Sequence, residues 1–334
     1  MKFTLIICTY MRPKPIEELM VSVVNQKLYP DQIIIVDGST NKETSKLFEK
    51  NKYNNLDYYL VSEDNRGLTK QRNFGITKVN LDSEIVCFLD DDTVLENDYF
   101  YEIINAFKSD DKIVGVSGIS LNENCWEKCE PNKNYNKNEY YLFEGYVHKE
   151  GLRNKIRNYL GLQSNLGSGR MPEYSHGRNC GFPLSNKIYE VDLLIGMSFS
   201  FRKKIFNEIK FSTYFEGYGL YEDSDFSIRA QQFGKNVVTT KAKLYHYHDA
   251  SGRPNKYQYG KMVVRNGWYV WRVKYSNPSL KARIKWNAIV LLLTFIRFSN
   301  IFTTNKRQEA ATEILGRFSG WIGLFISKPK EKNS

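Results

Sequence analysis

Three consecutive aspartates, Asp90, Asp91 and Asp92, follow the apolar run Ile85-Val86-Cys87-Phe88-Leu89. Such a run reads as a strand buried on both faces. Three carboxylates stacked at its carboxyl end repel one another unless a cation, or a ligand carrying one, sits there. Ligands of open α/β sheets bind at the carboxyl ends of strands. Hard divalent cations take carboxylate oxygens and share them with substrate phosphates. The chemistry implied is a metal-bridged phosphate site. The alternative is an acidic turn with Asp92 or Thr93 capping the next helix.

A second acidic run, Glu222-Asp223-Ser224-Asp225, precedes a helical pattern in which Phe226, Ala230 and Phe233 share a face and Gly234 is the stop. It reads either as a helix cap, with Ser224 or Asp225 in that role, or as a source of a general base just before the helix. His246 and His248 alternate in Tyr245-His246-Tyr247-His248-Asp249, so on a strand they share a face. Read from the residues alone, they are one packed and one surface histidine.

The elements that must position these groups alternate strand and helix. Strands are expected at Phe3–Cys8, Gln32–Val36, Leu56–Val61, the run before Asp90, and Ile113–Ser117. The helix after Pro15 carries Ile16, Leu19, Met20, Val23 and Val24 at amphipathic spacing. Further helices are expected near 42–50, 68–77 and 98–107. Repeated β-α units imply a doubly wound, mostly parallel sheet. Its edge gathers Thr9 and Arg12, Asp37 and Ser39, the loop Asn65–Gly75, and the aspartates. No dinucleotide-binding glycine fingerprint or phosphate loop follows the first strand.

These motifs, in this order, resemble family 2 glycosyltransferases of the GT-A fold: Thr9-Tyr-x-Arg12, Val36-Asp37-Gly38-Ser39, Gly67-x-x-x-x-Arg72-Asn73-x-Gly75, Asp90-Asp91-Asp92, Gly196–Phe206 and Glu222-Asp223-x-Asp225-Phe226-x-x-Arg229. The resemblance covers roughly residues 1–250. It implies an inverting, metal-dependent transfer of a sugar from a nucleotide-sugar donor to a hydroxyl of a glycan or lipid-linked glycan, in surface polysaccharide assembly. It implies Mn²⁺ or Mg²⁺ on Asp92 and Asp90, with His246 as a further ligand. Thr9, Arg12, Asp37, Arg72, Asp90 and Asp91 would contact the donor. Asp223 would be the base, with Glu222 as acceptor ligand or alternative base. Gly38 departs from the pattern, since many relatives carry a second Asp there. Two rival functions stand beside this one: transfer to a polyprenyl phosphate, and a sugar-nucleotide-binding module without turnover.

The 334 residues include 14% aromatics, enough for a sizeable core. The net charge of +11 resides in residues 261–334, with 14 Lys/Arg against 3 Asp/Glu, while the remainder is balanced. A nucleic-acid enzyme would place its basic patch around its cleft, so no nucleic-acid partner is expected. The expected organisation is a domain over 1–260, with a nucleotide-binding half at 1–120, an irregular insert at 120–190 and an acceptor half at 191–260. A basic, amphipathic helical extension follows over 261–334. Its apolar stretches, 286–296 and 318–327, are each about half the roughly 20 residues of a membrane span. They suit helices lying on an anionic membrane, or else a helical subdomain with a solvated basic face. With no secretory leader pattern at Met1, the expected place is cytoplasmic, peripheral on the inner membrane face. Cys125, Cys129, His176 and Cys180 form a set with tolerable zinc spacing, though metal-free thiols are the expectation.

Overall fold

Strands form where the apolar runs predict them. The computed structural model describes residues 1–248 and 254–330; Asp249, the end of the histidine motif, lies outside the described residues. Elements along the chain are β1 (Phe3–Thr9), α1 (Pro13–Val24), β2 (Gln32–Asp37), α2 (Glu43–Lys50), β3 (Leu56–Leu60), α3 (Leu68–Ile76), β4 (Ile85–Asp90), β5 (Thr93–Leu95), α4 (Tyr99–Ser109) and β6 (Ile113–Ser120). There follow β7 (Trp126–Lys128), β8 (Tyr140–Phe143), β9 (Tyr146–Lys149), α5 (Leu152–Tyr159), β10 (Ile188–Val191), β11 (Ser198–Arg202) and α6 (Glu222–Ala230). The last are β12 (Lys235–His246), α7 (Lys256–Lys274), α8 (Leu280–Thr303) and α9 (Arg307–Ile326).

Two compact units divide the described chain, one from residues 1–124 and 184–248, the other from 125–183 and 254–330. The insert and the basic extension thus fall largely in the same unit.

The first unit is built on a nine-stranded sheet of order β10-β12-β6-β11-β4-β1-β2-β3, with β5 paired to β12. Strands β4, β1, β2 and β3 run parallel. β11 is antiparallel to both β4 and β6, and β12 returns parallel to β6. Side chains alternate across this sheet. Phe3, Leu5, Ile7, Ile33, Ile35, Cys87 and Leu89 pack with Ile16, Leu19, Phe100 and Phe107 of α1 and α4 in one core. The opposite face carries α3. A Cβ on Gly75 would lie 2.8 Å from Ile6 Cγ2, so glycine lets α3 sit against β1. Phe88, Phe199, Phe206, Phe211 and Phe226 form an aromatic cluster, the Phe211 and Phe226 centroids lying 4.3 Å apart.

Helix α6 starts earlier than the sequence suggests. Tyr221 takes a left-handed backbone (φ 73°) and the cap position, so Glu222 and Asp223 lie in the first turn rather than before it. Neither Ser224 nor Asp225 is the cap; Asp225 Oδ2 instead accepts from Arg229 Nε at 3.0 Å. The helix ends at Ala230, and one 3₁₀ turn completes the pattern to Phe233.

The second unit contains a three-stranded antiparallel sheet, β7-β9-β8, together with α5 and α7–α9. The insert is less irregular than expected because its polar chain finds partners on α7. His176 Nε2 lies 2.9 Å from Gly267 O, and Trp271 Nε1 donates to Glu173 O at 2.7 Å. Arg178 and Glu150 form a buried ion pair. His176 is thereby committed to a backbone carbonyl. Among the described residues, the groups able to hold a metal do not include the Cys125, Cys129, His176 and Cys180 set. The two short apolar stretches belong to longer helices. α8 has 24 residues and is long and apolar enough to cross a membrane by length and composition, with 17% of its apolar window buried.

Candidate active site

Carboxylates gather where β4 leaves the sheet. Asp90 pairs with Cys8 of β1, and its N–H donates to Met197 O at 3.0 Å. Asp91 turns inward. It accepts from Thr9 Oγ1 at 2.6 Å and from Arg12 Nη1 at 2.9 Å. Burial pushes its carboxyl up to about 7, against the pull of Arg12 and Thr9. Thr9 and Arg12 are therefore engaged with Asp91 itself, and Arg12 Nη1 also lies 3.5 Å from Asp92 Oδ2.

The β5–β12 ladder brings His246 to Asp92. Its register sets His246 opposite Thr93, and Tyr247 N donates to Asp92 O at 3.0 Å. His246 Nε2 lies 3.4 Å from Asp92 Oδ1, while Nδ1 lies 3.5 Å from Glu123 Oε2. Glu123 also meets His248 Nε2 at 2.5 Å. The two histidines hold Glu123 down at about 2 despite its partial burial. His248 has a positive φ of 51°, so it leaves the strand, and its ring comes within 3.9 Å of His246 between centroids. Ligand atoms of Asp90, Asp92 and His246 lie within 4.8 Å of one another, as do those of Glu123, His246 and His248. Two carboxylates and an imidazole suit Mn²⁺ or Mg²⁺. A carboxylate behind the imidazole's far nitrogen is the arrangement that orients a metal-ligating histidine. The residues present fit a divalent cation.

Asp37 is fully buried and accepts from Tyr58 Oη at 2.6 Å and Ser39 N at 2.8 Å. Next to it, Met11 takes a left-handed backbone (φ 59°) and donates its N–H to Ser39 Oγ at 2.8 Å.

Helix α3 works as a strut. Gln71 Nε2 donates to Thr9 O (3.0 Å) and Val36 O (2.8 Å), tying the ends of β1 and β2. Asn73 exchanges two hydrogen bonds with the Phe211 backbone, at 2.8 and 2.9 Å. Arg72 is only 2% exposed. It is ion-paired with Glu222, lies 3.4 Å from Asp90 Oδ1, and rests over the Phe199 ring at 4.6 Å. The structure thus places Arg72 inside the protein, between two acidic groups.

Glu222 is 4% exposed. Burial pushes its carboxyl up to about 8, with Arg72 opposing. Asp223, one residue on, is less enclosed. Its Oδ2 accepts from Gly196 N (2.9 Å) and its Oδ1 from Ser224 N (2.7 Å). A Cβ at Gly196 would lie 3.1 Å from Asp223 Cβ, so a small residue there lets the acidic turn come close. Burial, then the charges of Asp92 and Asp223, push the Asp90 carboxyl up, against Arg72 and His246. The two acidic clusters thus share one electrostatic environment. Sequence reasoning missed Glu123, Gln71 and Tyr58. Glu123 lies just past β6 at the same sheet edge, and Gln71 stands inside a motif already noted; Tyr58 gives no local signal.

Residues 4–164 match the family model described as Glycosyl transferase family 2. Poly-beta-1,6-N-acetyl-D-glucosamine synthase of Staphylococcus aureus (strain COL) is 31% identical over 115 residues, which cover 34% of this chain and 27% of that protein. O-antigen chain rhamnosyltransferase RfbN of Salmonella typhimurium (strain LT2) is 28% identical over 121 residues, covering 36% and 38%. The match thus spans well under half of either relative. Among solved structures, the mannosyltransferase PcManGT from Pyrobaculum calidifontis, in complex with GDP-Man and Mn²⁺, has a TM-score of 0.53 at 13% identity, covering 96% of this chain and 87% of that one. GalNAc-T7 with UDP, GalNAc and Mn²⁺ has a TM-score of 0.54 at 15% identity, covering 78% and 47%. The fold is that of GT-A glycosyltransferases, a mostly parallel sheet with a helical C-terminal region. Over residues 4–164 the chain is thus similar to glycosyl transferase family 2.

Proposed function

We propose that this chain is an inverting glycosyltransferase. It moves a sugar from a nucleotide-sugar donor to a hydroxyl of a glycan or lipid-linked glycan, in surface polysaccharide assembly on the inner face of the membrane. The observation that carries this is the convergence of Asp90, Asp92 and His246 at the rim of β4, in the same electrostatic environment as Asp223. Both structural neighbours are described with Mn²⁺, which accords with that ligand set. Asp92, Asp90 and His246 would hold the cation, which when bound offsets the charge growing on the departing diphosphate.

The protein's own groups do the rest. Arg12 and Thr9 fix Asp91, which in turn anchors the chain between Asp90 and Asp92. Asp37, held by Tyr58 and Ser39, sits at the end of β2 where the nucleoside would lie. A hydroxyl attacks well only as it loses its proton, and Asp223 is the group to take it. Gly196 N–H and Ser224 N–H hold that carboxylate in one orientation. Glu222 is held by Arg72, so we assign it to positioning rather than to proton transfer, and Arg72 likewise. A polyprenyl phosphate arrives already ionised and needs no base, so a carboxylate oriented in this way favours a hydroxyl acceptor. Replacing Asp223→Asn should lower turnover by about 10²–10⁴ with donor affinity kept. Asp92→Asn should remove metal-dependent nucleotide binding. Near-normal turnover in Asp223→Asn would sink the base assignment; unchanged metal dependence in Asp92→Asn would sink the metal site.

A further inference from the structure

A groove of about 570 Å³ lies between α7 and α9, with Lys261 and Arg265 on one wall and Ile322 and Ile326 on the other. Ser319, Gly323 and Ser327 complete it. We propose that this groove seats the phosphate headgroup of an anionic membrane lipid. The inference rests on the reading above that the chain works at a membrane surface, and it assigns that contact to named residues.

Charge is the first argument. Lys261 and Arg265 are four residues apart on one helix face, where like charges repel. Among the described residues neither has a carboxylate partner. The acids of α9 are already taken, Glu309 by Lys256 at 3.4 Å and Glu313 by Arg317 and Arg297 at 2.8 and 2.9 Å. An anion between the two cations would remove the repulsion. Shape is the second argument. A Cβ on Gly316 would lie 2.0 Å from Tyr257 O, and one on Gly260 2.1 Å from Glu313 O. The helices therefore meet backbone to backbone, as small-residue crossings allow, and the walls are held in place. A Cβ on Gly323 would lie 3.0 Å from Arg265 Nη1, so its absence leaves the guanidinium room against α9. Apolar character is the third. Ile326 is 83% exposed, and Ile322, on the same wall, is also exposed beside the cations. A free phosphate would have no use for that surface; a headgroup followed by acyl chain would.

The test is co-sedimentation of the full chain with vesicles of phosphatidylcholine, with and without phosphatidylglycerol. Three proteins are compared with wild type: Lys261→Gln/Arg265→Gln, the charge-matched Lys281→Gln/Lys306→Gln, and Gly323→Leu, which keeps every charge and fills the groove. Two basic residues at an anionic surface correspond to roughly a thirtyfold change in affinity. Wild type should bind the anionic vesicles. The groove pair and Gly323→Leu should each lose about thirtyfold, and the control pair less than about threefold. If wild type ignores phosphatidylglycerol, the membrane reading and the groove both fall. Equal losses in the two charge pairs, with Gly323→Leu unaffected, leave diffuse membrane contact standing and overturn the groove. Should the groove pair only lower Tm, the cations serve the carbonyl end of α9 instead, and the proposal is wrong.

Discussion

Replacing Arg72 alone should damage the protein more than replacing it together with Glu222. Arg72 and Glu222 are 2% and 4% exposed, and among the described residues Glu222 Oε2 has no hydrogen-bond partner, so Glu222 depends on its contact with Arg72. Arg72→Met leaves an acid buried without its cation, a loss of about 3–5 kcal/mol. That is a large part of a typical total of about 5–15 kcal/mol. In Arg72→Met/Glu222→Leu neither member of the buried pair remains to desolvate, and Asp90, whose side chain is 35% exposed, keeps access to water. Methionine beneath Phe199 and Phe211 replaces cation–π contacts with apolar packing. The double variant should lie within about 1 kcal/mol of wild type. The assay is equilibrium urea unfolding of wild type, both single variants and the double. A single-variant cost below about 1 kcal/mol, or a double variant as weak as the two singles summed, would refute the reasoning. Sugar transfer adds a second readout. Because Arg72 also faces Asp90 at 3.4 Å, the double variant should regain stability without regaining activity.

Tyr58→Phe should cost about 1.5–3 kcal/mol in urea unfolding, because it strips a buried carboxylate, Asp37, of a 2.6 Å donor; a cost near zero would mean Asp37 is satisfied without it. Gly316→Ala forces a Cβ to within 2.0 Å of Tyr257 O and should cost about 1–3 kcal/mol by urea unfolding, whereas Gly323→Ala meets only the flexible end of Arg265 and should be neutral or stabilising. His176 is held down at about 4 by burial, with Arg157 adding to the shift and the Gly267 carbonyl opposing it. Unfolded, it titrates near 6.5, so the unfolded chain binds the extra proton between those values and stability falls as pH drops through that window. From pH 7 to pH 5 this group should remove about 2 kcal/mol, and His176→Asn should flatten the slope by that amount; an unchanged slope would show that the ring does not titrate so.

Much of the fold was legible because local pattern and tertiary role agree. The offsets of Ile16, Leu19, Met20 and Val23 on α1 are the positions that meet the sheet. The run Ile85–Leu89 is buried on both faces because α1 and α4 cover one side and the Phe199–Phe226 cluster the other. The site was less legible, because proximity there depends on ladders between distant segments. His246 reaches Asp92 only through the β5–β12 register, more than 150 residues apart in the chain. Arg72 looked like a ligand contact because its motif sits at a sheet edge, yet helix α3 turns it inward toward Glu222. The start of α6 was misplaced because a left-handed tyrosine carries no sequence signature of its own; Gly is the residue that normally advertises that conformation.

The most direct test of the central claim is release of nucleoside diphosphate from a panel of sugar nucleotides, with Mn²⁺, with Mg²⁺ and with chelator. The account predicts that at least one sugar nucleotide is turned over with the ion and not with the chelator, and that Asp92→Asn loses this response. Turnover undiminished by chelator, or no turnover of any sugar nucleotide that demonstrably binds with the ion present, would contradict it.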